Sequence, residues 1–190
     1  DWVGCLLIWF FFSGIVWLYT KVNYLEMCKS MIPIWVNTIA TNSSAGTIPI
    51  TLNVTTERLK VPMSIASFSI HLGATINLTG AALYKTILAF FVAEIYGLQL
   101  TIDHILMVII ISTILSIAAP GIPGGGIVTG AIFLNLLGLP MDLMGPIAGM
   151  YRLIDMSHTT VNVSGDVLGT MLVAKNENIW TGEDFNKTLV

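Results

Sequence analysis

The chain has 190 residues, of which 55% are hydrophobic and only 10% charged, with a formal net charge of −3 and a mean hydropathy of +0.83. Soluble domains carry about 25% charged residues, so the composition excludes an ordinary soluble domain and points to a lipid bilayer. The balance of charge offers no basic surface for nucleic acid, and Cys5 and Cys28 are too few and too far apart for a disulfide framework or a metal site.

Trp2 to Thr20 is a charge-free run of 19 residues, which matches the roughly 20 residues needed to cross a hydrocarbon core. It lacks a basic leading segment and a small-residue cleavage site, so it does not read as a signal peptide. With Asp1 directly ahead of it, the chain reads as part of a longer protein. Lys21, Glu26 and Lys29 are expected in a short loop, which closes a first unit at 1–29.

Residues 30–56 are again free of charge but rich in Asn, Ser and Thr. At their centre stands Asn42-Ser43-Ser44-Ala45-Gly46-Thr47-Ile48-Pro49, where serine, glycine and proline should break a helix. Irregular backbone survives at membrane depth only under cover of protein or beside a water-filled cavity. A re-entrant hairpin is therefore expected here.

Glu57, Arg58 and Lys60 form the next polar loop, opening a unit at 57–102. Inside it, Gly73 to Ala81 interrupts an apolar run, with helix expected to resume from Ala82 to about Tyr96. The sequence predicts a span broken at its middle, whose unwound carbonyls suit a cation or substrate.

Asp103 and His104 mark a further turn, and Ile105 to Met141 then runs 37 residues without a charge. As one helix that run would measure about 55 Å against a core of about 30 Å. It must fold back, and Ala119-Pro120-Gly121-Ile122-Pro123-Gly124-Gly125-Gly126 is where. The result is a second re-entrant hairpin at 103–142.

The last span, within 143–176, contains Asp155 and Asp166, and a tail occupies 177–190. Ionised groups at membrane depth are functional candidates by default. At about 100° per residue, Asp155, Thr159, Asn162 and Asp166 fall within about 60° of each other on a helix, with His158 at the edge of the stripe. Such a seam faces protein or water. Placing Lys21, Lys29, Arg58, Lys60, Lys175 and Lys187 on one side puts six of the eight basic residues together, and the positive-inside rule makes that side cytoplasmic. The two hairpins then enter from opposite faces, each ahead of a full span. The expected fold is an all-α membrane protein, a transport domain with two re-entrant hairpins and broken transmembrane helices in an inverted repeat.

The chain resembles the dicarboxylate/amino acid:cation symporter family, the glutamate-transporter-like proteins. Four segments carry the resemblance in combination: the serine-rich NSSAGTIPIT, GATINLTGAALY, GIPGGG and DMSHTTVNVSGD, in a match reaching from the first span to about Lys175. It corresponds to the C-terminal, mobile transport domain, without the scaffold spans that form a homotrimer interface. The resemblance implies that Asp155 takes a substrate amino group and Asn162 its α-carboxylate. Ser43, Ser44, Leu78, Ala81, Ile122, Gly126, His158 and Thr159 complete the substrate site. It assigns sodium to Asp166 with Gly73, Asn77 and Asn162, and a second ion to Thr75 and Leu78.

Three departures bear on specificity. His158 stands where acidic-substrate members carry an arginine, whose charged fork it cannot copy. Thr79 replaces an aspartate that ligates a further sodium, which puts the sodium count in doubt. Ala81 removes a threonine hydroxyl. Together they point to a neutral or small polar amino acid, with an acidic amino acid or dicarboxylate as the alternative. The expected protein is a plasma-membrane, multi-pass symporter driven by sodium, with protons as a further candidate, and not an enzyme. Asp155 and Asp166 lie about 16 Å apart by helical rise, too far to act as a catalytic pair. A channel lined by the two hairpins is the rival of another class.

The remaining features are bland. The Asn-X-Ser/Thr patterns at Asn42, Asn53, Asn77 and Asn162 fall in or beside membrane segments, and a fifth begins at Asn186. Glu94 is expected to snorkel or pair, His71 to pack, and His104 to lie in a loop without a partner. Trp2, Trp9, Trp17 and Trp35 are expected at membrane interfaces.

Overall fold

The computed structural model describes residues 1–187. Within them the protein is all α-helix, with no strand. The end of the 177–190 tail, and Thr188 of the glycosylation pattern at Asn186, lie outside the described residues.

Helix α1, Trp2–Thr20, is apolar on every side and leaves Val3, Leu7, Phe11 and Leu18 exposed. It ends at Lys21, which adopts a left-handed conformation. The loop expected through Lys29 is shorter than that. Helix α2, Tyr24–Thr41, starts at once because the Asn23 side chain caps the main-chain N–H of Glu26. Glu26 and Lys29, 2.6 Å apart, pair along its first turns.

The break expected over Asn42–Pro49 is confined to Asn42 and Ser43. Asn42 takes a left-handed conformation, and the Ser43 hydroxyl accepts from Gly46 N at 3.0 Å. Helix α3, Ser44–Asn53, therefore includes the serine, glycine and proline that were expected to be irregular. A serine cap makes those residues a helix start. Residues Val54–Arg58 continue as a π-helical turn.

Helices α4, Met63–Ile76, and α5, Thr79–Ile95, are separated only by Asn77 and Leu78. The interruption expected over Gly73–Ala81 shrinks because a neighbouring side chain caps α5, as described below. Helix α6, Ile102–Ile117, absorbs Asp103 and His104 into its first turn. The polar turn thus moves upstream, and His104 has a partner after all. Its Nδ1 lies 2.9 Å from the Thr101 hydroxyl, in a capping box. A non-helical stretch follows, closed by Gly124 at a φ of 78°, and α7 runs Gly125–Leu136.

Helix α8, Met144–Asn176, is one unbroken helix of 33 residues. It packs against α1, α2, α3, α4, α5 and α7 and joins two hydrophobic clusters. Ile147 and Tyr151 near its start pack with Tyr84, Leu88, Val108 and Phe133. Val163, Val167, Met171 and Ala174 near its end pack with Val16, Met31, Ile34 and Ile70. Its polar stripe lies between the two. The short α9, Gly182–Asn186, completes the second cluster with Phe185. By length and composition, Trp2–Thr20 and the interrupted Met63–Ile95 stretch could cross a membrane. Trp35, expected at an interface, donates from Nε1 to the Ser164 hydroxyl of α8 at 3.0 Å.

Candidate substrate and cation sites

The turn between α2 and α3 and the stretch between α6 and α7 meet at Gly121. Its carbonyl accepts from the Ser43 hydroxyl at 3.0 Å and from Ala45 N at 3.2 Å. The approach is close, since a Cβ there would lie 3.0 Å from the carbonyl oxygen of Ala74, which would have to give way by a few tenths of an ångström. These two tips roof a cavity of about 30 Å³, room for about one water molecule.

The cavity is lined by Ser44, Leu78, Ala81, Ile122, Gly126, Asp155, His158, Thr159 and Asn162, nine of the ten positions expected around substrate. The tenth, Ser43, holds the tips together instead. Asp155 is buried and accepts from the Tyr151 hydroxyl at 3.4 Å, with the Asn42 amide and Gly124 N–H close by. Asn162 Oδ1 accepts from Gly80 N at 2.7 Å. That bond satisfies an open donor at the start of α5 and leaves Asn162 Nδ2 as the group that can face a carboxylate.

His158 is 1% exposed and packed among rings, 5.2 Å from Tyr84 and 6.3 Å from Tyr151 between centroids. Its Nε2 lies 2.7 Å from Asp1 Oδ2, within ion-pair distance but outside hydrogen-bond geometry. Ser157 also donates to Asp1, at 2.9 Å. Neither ring nitrogen of His158 holds a hydrogen bond, although the ring lines the tip cavity.

Eleven residues along α8 from Asp155 lies a second polar centre. Asn77 Nδ2 donates to Asp166 Oδ1 at 2.8 Å and reaches Asn162 O at 3.2 Å. The Thr79 hydroxyl donates to Asn77 Oδ1 at 2.7 Å. Gly73 closes the other side, where any Cβ would run into the Asp166 carboxylate. The four residues expected around sodium, Gly73, Asn77, Asn162 and Asp166, thus lie together, with the Asn77 side chain presenting its amide nitrogen to Asp166. Thr75 does not join them. It is exposed and its hydroxyl donates back to Leu72 O at 2.7 Å. Leu78 belongs to the tip cavity.

Two charged residues escaped the sequence reading, although each is visible as a charge inside an apolar run. Lys85 is wholly buried, donating to Ala81 O at 3.2 Å and to the Ser116 hydroxyl at 3.1 Å, and so ties α5 to the end of α6. Arg152 lies one turn ahead of Asp155 and donates from Nη2 to Ala40 O at 3.3 Å.

The sequence matches the sodium:dicarboxylate symporter family over residues 2–176. It is 35% identical over 154 residues to an excitatory amino acid transporter of Caenorhabditis elegans, covering 81% of this chain and 31% of the relative. It is 33% identical over 163 residues to excitatory amino acid transporter 2 of Homo sapiens, covering 86% and 28%. With excitatory amino acid transporter 3 of Mus musculus it shares 40% over 134 residues, covering 70% and 26%. The chain thus spans less than a third of the length of these curated relatives. A match across nearly the whole chain, in the segments that build both polar centres, means that this chain belongs to the sodium:dicarboxylate symporter family.

Proposed function

We propose that the chain is the transport domain of a cation-coupled amino acid symporter. In this reading, substrate binds beneath the two tips with its ammonium on Asp155 and its α-carboxylate on Asn162 Nδ2 and the start of α3 at Ser44. Sodium binds at Asp166 with main-chain oxygens of Gly73, Asn77 and Asn162. The two tips belong to re-entrant hairpins in an inverted repeat, with the units at 1–29, 30–56, 57–102, 103–142, 143–176 and 177–190. The full-length protein works as a homotrimer in the plasma membrane and moves this domain across it.

The observation that carries the reading is the double use of Asn162. Its main-chain oxygen accepts from the amide that holds Asp166, while its side chain caps α5 beside the tip cavity. A cation at Asp166 that orders Asn77 thereby orders the floor of the substrate cavity. Such sharing is a coupling free energy, and it acts in both directions. The closed contact of the tips at Gly121 also suits an occluded site better than a continuous pore.

The family description and the relatives' names favour an acidic amino acid. Neither supports the neutral or small polar substrate expected from His158 and Ala81.

The test is uptake by the full-length protein in proteoliposomes, with sodium and proton gradients imposed separately and a panel of amino acids. Saturable, sodium-driven uptake that Asp155→Asn abolishes is expected. Flux that neither saturates nor follows an imposed gradient would indicate a channel.

A further inference from the structure

Asp155 lines two cavities. The one beneath the tips has His158 as its only basic side chain, an imidazole enclosed by Tyr84 and Tyr151 whose ring nitrogens hold no hydrogen bond. An amino acid with two carboxylates therefore meets no lysine or arginine there for its second carboxylate. On the other side of Asp155 lies a cavity of about 300 Å³, walled by Thr41, Asn42, Gly124, Tyr151 and Arg152. That volume reaches the low end of small-molecule sites, about 300–1,000 Å³.

Arg152 and Asp155 are three residues apart on α8, so they are neighbours on the helix surface, about 5–6 Å apart at Cβ. They share this cavity, yet Arg152 makes no ion pair with any carboxylate among the described residues. Arg152 is solvent-exposed, and its single hydrogen bond, to Ala40 O, leaves the rest of the guanidinium fork without a protein acceptor. A cation and an anion held on one wall at short range, and not neutralising each other, match a ligand that carries both signs.

We infer that Arg152 is a specificity-determining residue, receiving the side-chain carboxylate of an acidic amino acid whose ammonium lies on Asp155. The inference rests on the symporter reading above. The guanidinium offers a planar pair of donors to a carboxylate, and the amide of the same amino acid, which lacks the charge, gains much less from it.

The experiment is competition binding of L-aspartate and L-asparagine to the reconstituted full-length protein, comparing wild type, Arg152→Gln and Arg152→Lys. Arg152→Gln should weaken aspartate by about 10–100-fold, as expected for one lost charge-assisted contact. It should leave asparagine within about twofold, and Arg152→Lys should fall between. If both ligands weaken equally in both variants, Arg152 only braces the end of α2 at Ala40 and the inference is overturned. It is overturned as well if neither ligand changes. A wild-type protein that binds asparagine as well as aspartate, through Asp155, would instead overturn the acidic-substrate reading itself.

Discussion

Asn77 Nδ2 donates to Asp166 Oδ1 at 2.8 Å, which ties the two-residue gap between α4 and α5 to the middle of α8. Asp166 is 5% exposed, so this amide is a principal support for a buried carboxylate. Hydrogen bonds to charged groups contribute about 1.5–3 kcal/mol. Asn77→Ala should therefore destabilise the domain by about that amount and leave Asp166 free to rotate. On the proposed symporter reading, the half-saturating sodium concentration for uptake should rise by about tenfold or more. A sodium titration of substrate binding reads this directly, and an unchanged midpoint would separate Asn77 from cation binding.

Gly73→Ala probes the same centre by volume. Gly73 lies inside α4, where alanine is normally favoured by about 0.5–1 kcal/mol. Here the added Cβ would meet Asp166 Cγ at 2.6 Å, closer than real Cβ contacts come. The carboxylate must move, so the steric effect outweighs the helical gain. The variant should keep its helical circular dichroism and lose sodium-dependent uptake by about tenfold or more. Wild-type sodium dependence would remove Gly73 from the cation set.

How far the sequence speaks depends on how local the cause is. The fold-back at Ala119–Gly126 is legible because 37 apolar residues cannot cross the bilayer once. The stripe of Asp155, Thr159, Asn162 and Asp166 is legible because helical period alone puts those residues on one face. The width of the gap before α5 is not legible. It is set by Asn162 Oδ1 on Gly80 N, a contact 82 residues apart in sequence. The side on which a hydroxyl acts is equally hidden, as Thr75 shows by bonding back into its own helix. The aromatic enclosure of His158 depends on Tyr84 and Tyr151 from two different helices. Lys85 and Arg152 are legible as charges inside apolar runs, but their partners, Ser116 and Ala40, lie 31 and 112 residues away in sequence.

Gly121 offers a test of tip closure. Its carbonyl collects two donors from the first tip, and a side chain at this position would crowd Ala74 O and, at 3.4 Å, Ser44 Cβ. Gly121→Val should separate the tips and forfeit both hydrogen bonds, each contributing about 0.5–1.5 kcal/mol. Bound amino acid should then dissociate about tenfold faster or more, while sodium binding at Asp166 stays near its original strength. Dissociation of radiolabelled substrate measures the first, and a sodium titration the second. An unaltered off-rate would mean that the tips do not retain the ligand.

Asp184 gives a pH prediction outside the spans. Its carboxylate accepts from Thr181 N at 2.7 Å and from the Thr181 hydroxyl at 2.9 Å at the start of α9. These bonds, with smaller help from Lys187 and Lys175, hold its pKa below the ordinary carboxylate value. A depressed folded-state pKa stabilises the fold fully above the unfolded value of about 3.9, and that contribution fades as pH falls through the folded value. Helix α9 is also anchored by Phe185 in the core and by Asn186, which accepts from Asn23 N at 2.8 Å. Acid should therefore loosen α9 at its start and leave the Phe185 anchor in place. Hydrogen-exchange protection of α9 should stay level from about pH 8 to 5 and decline only below about pH 4. Asp184→Ala should lower protection at neutral pH and abolish the acid step. A decline centred near pH 6 would point to a different group and rule out Asp184 as the cause.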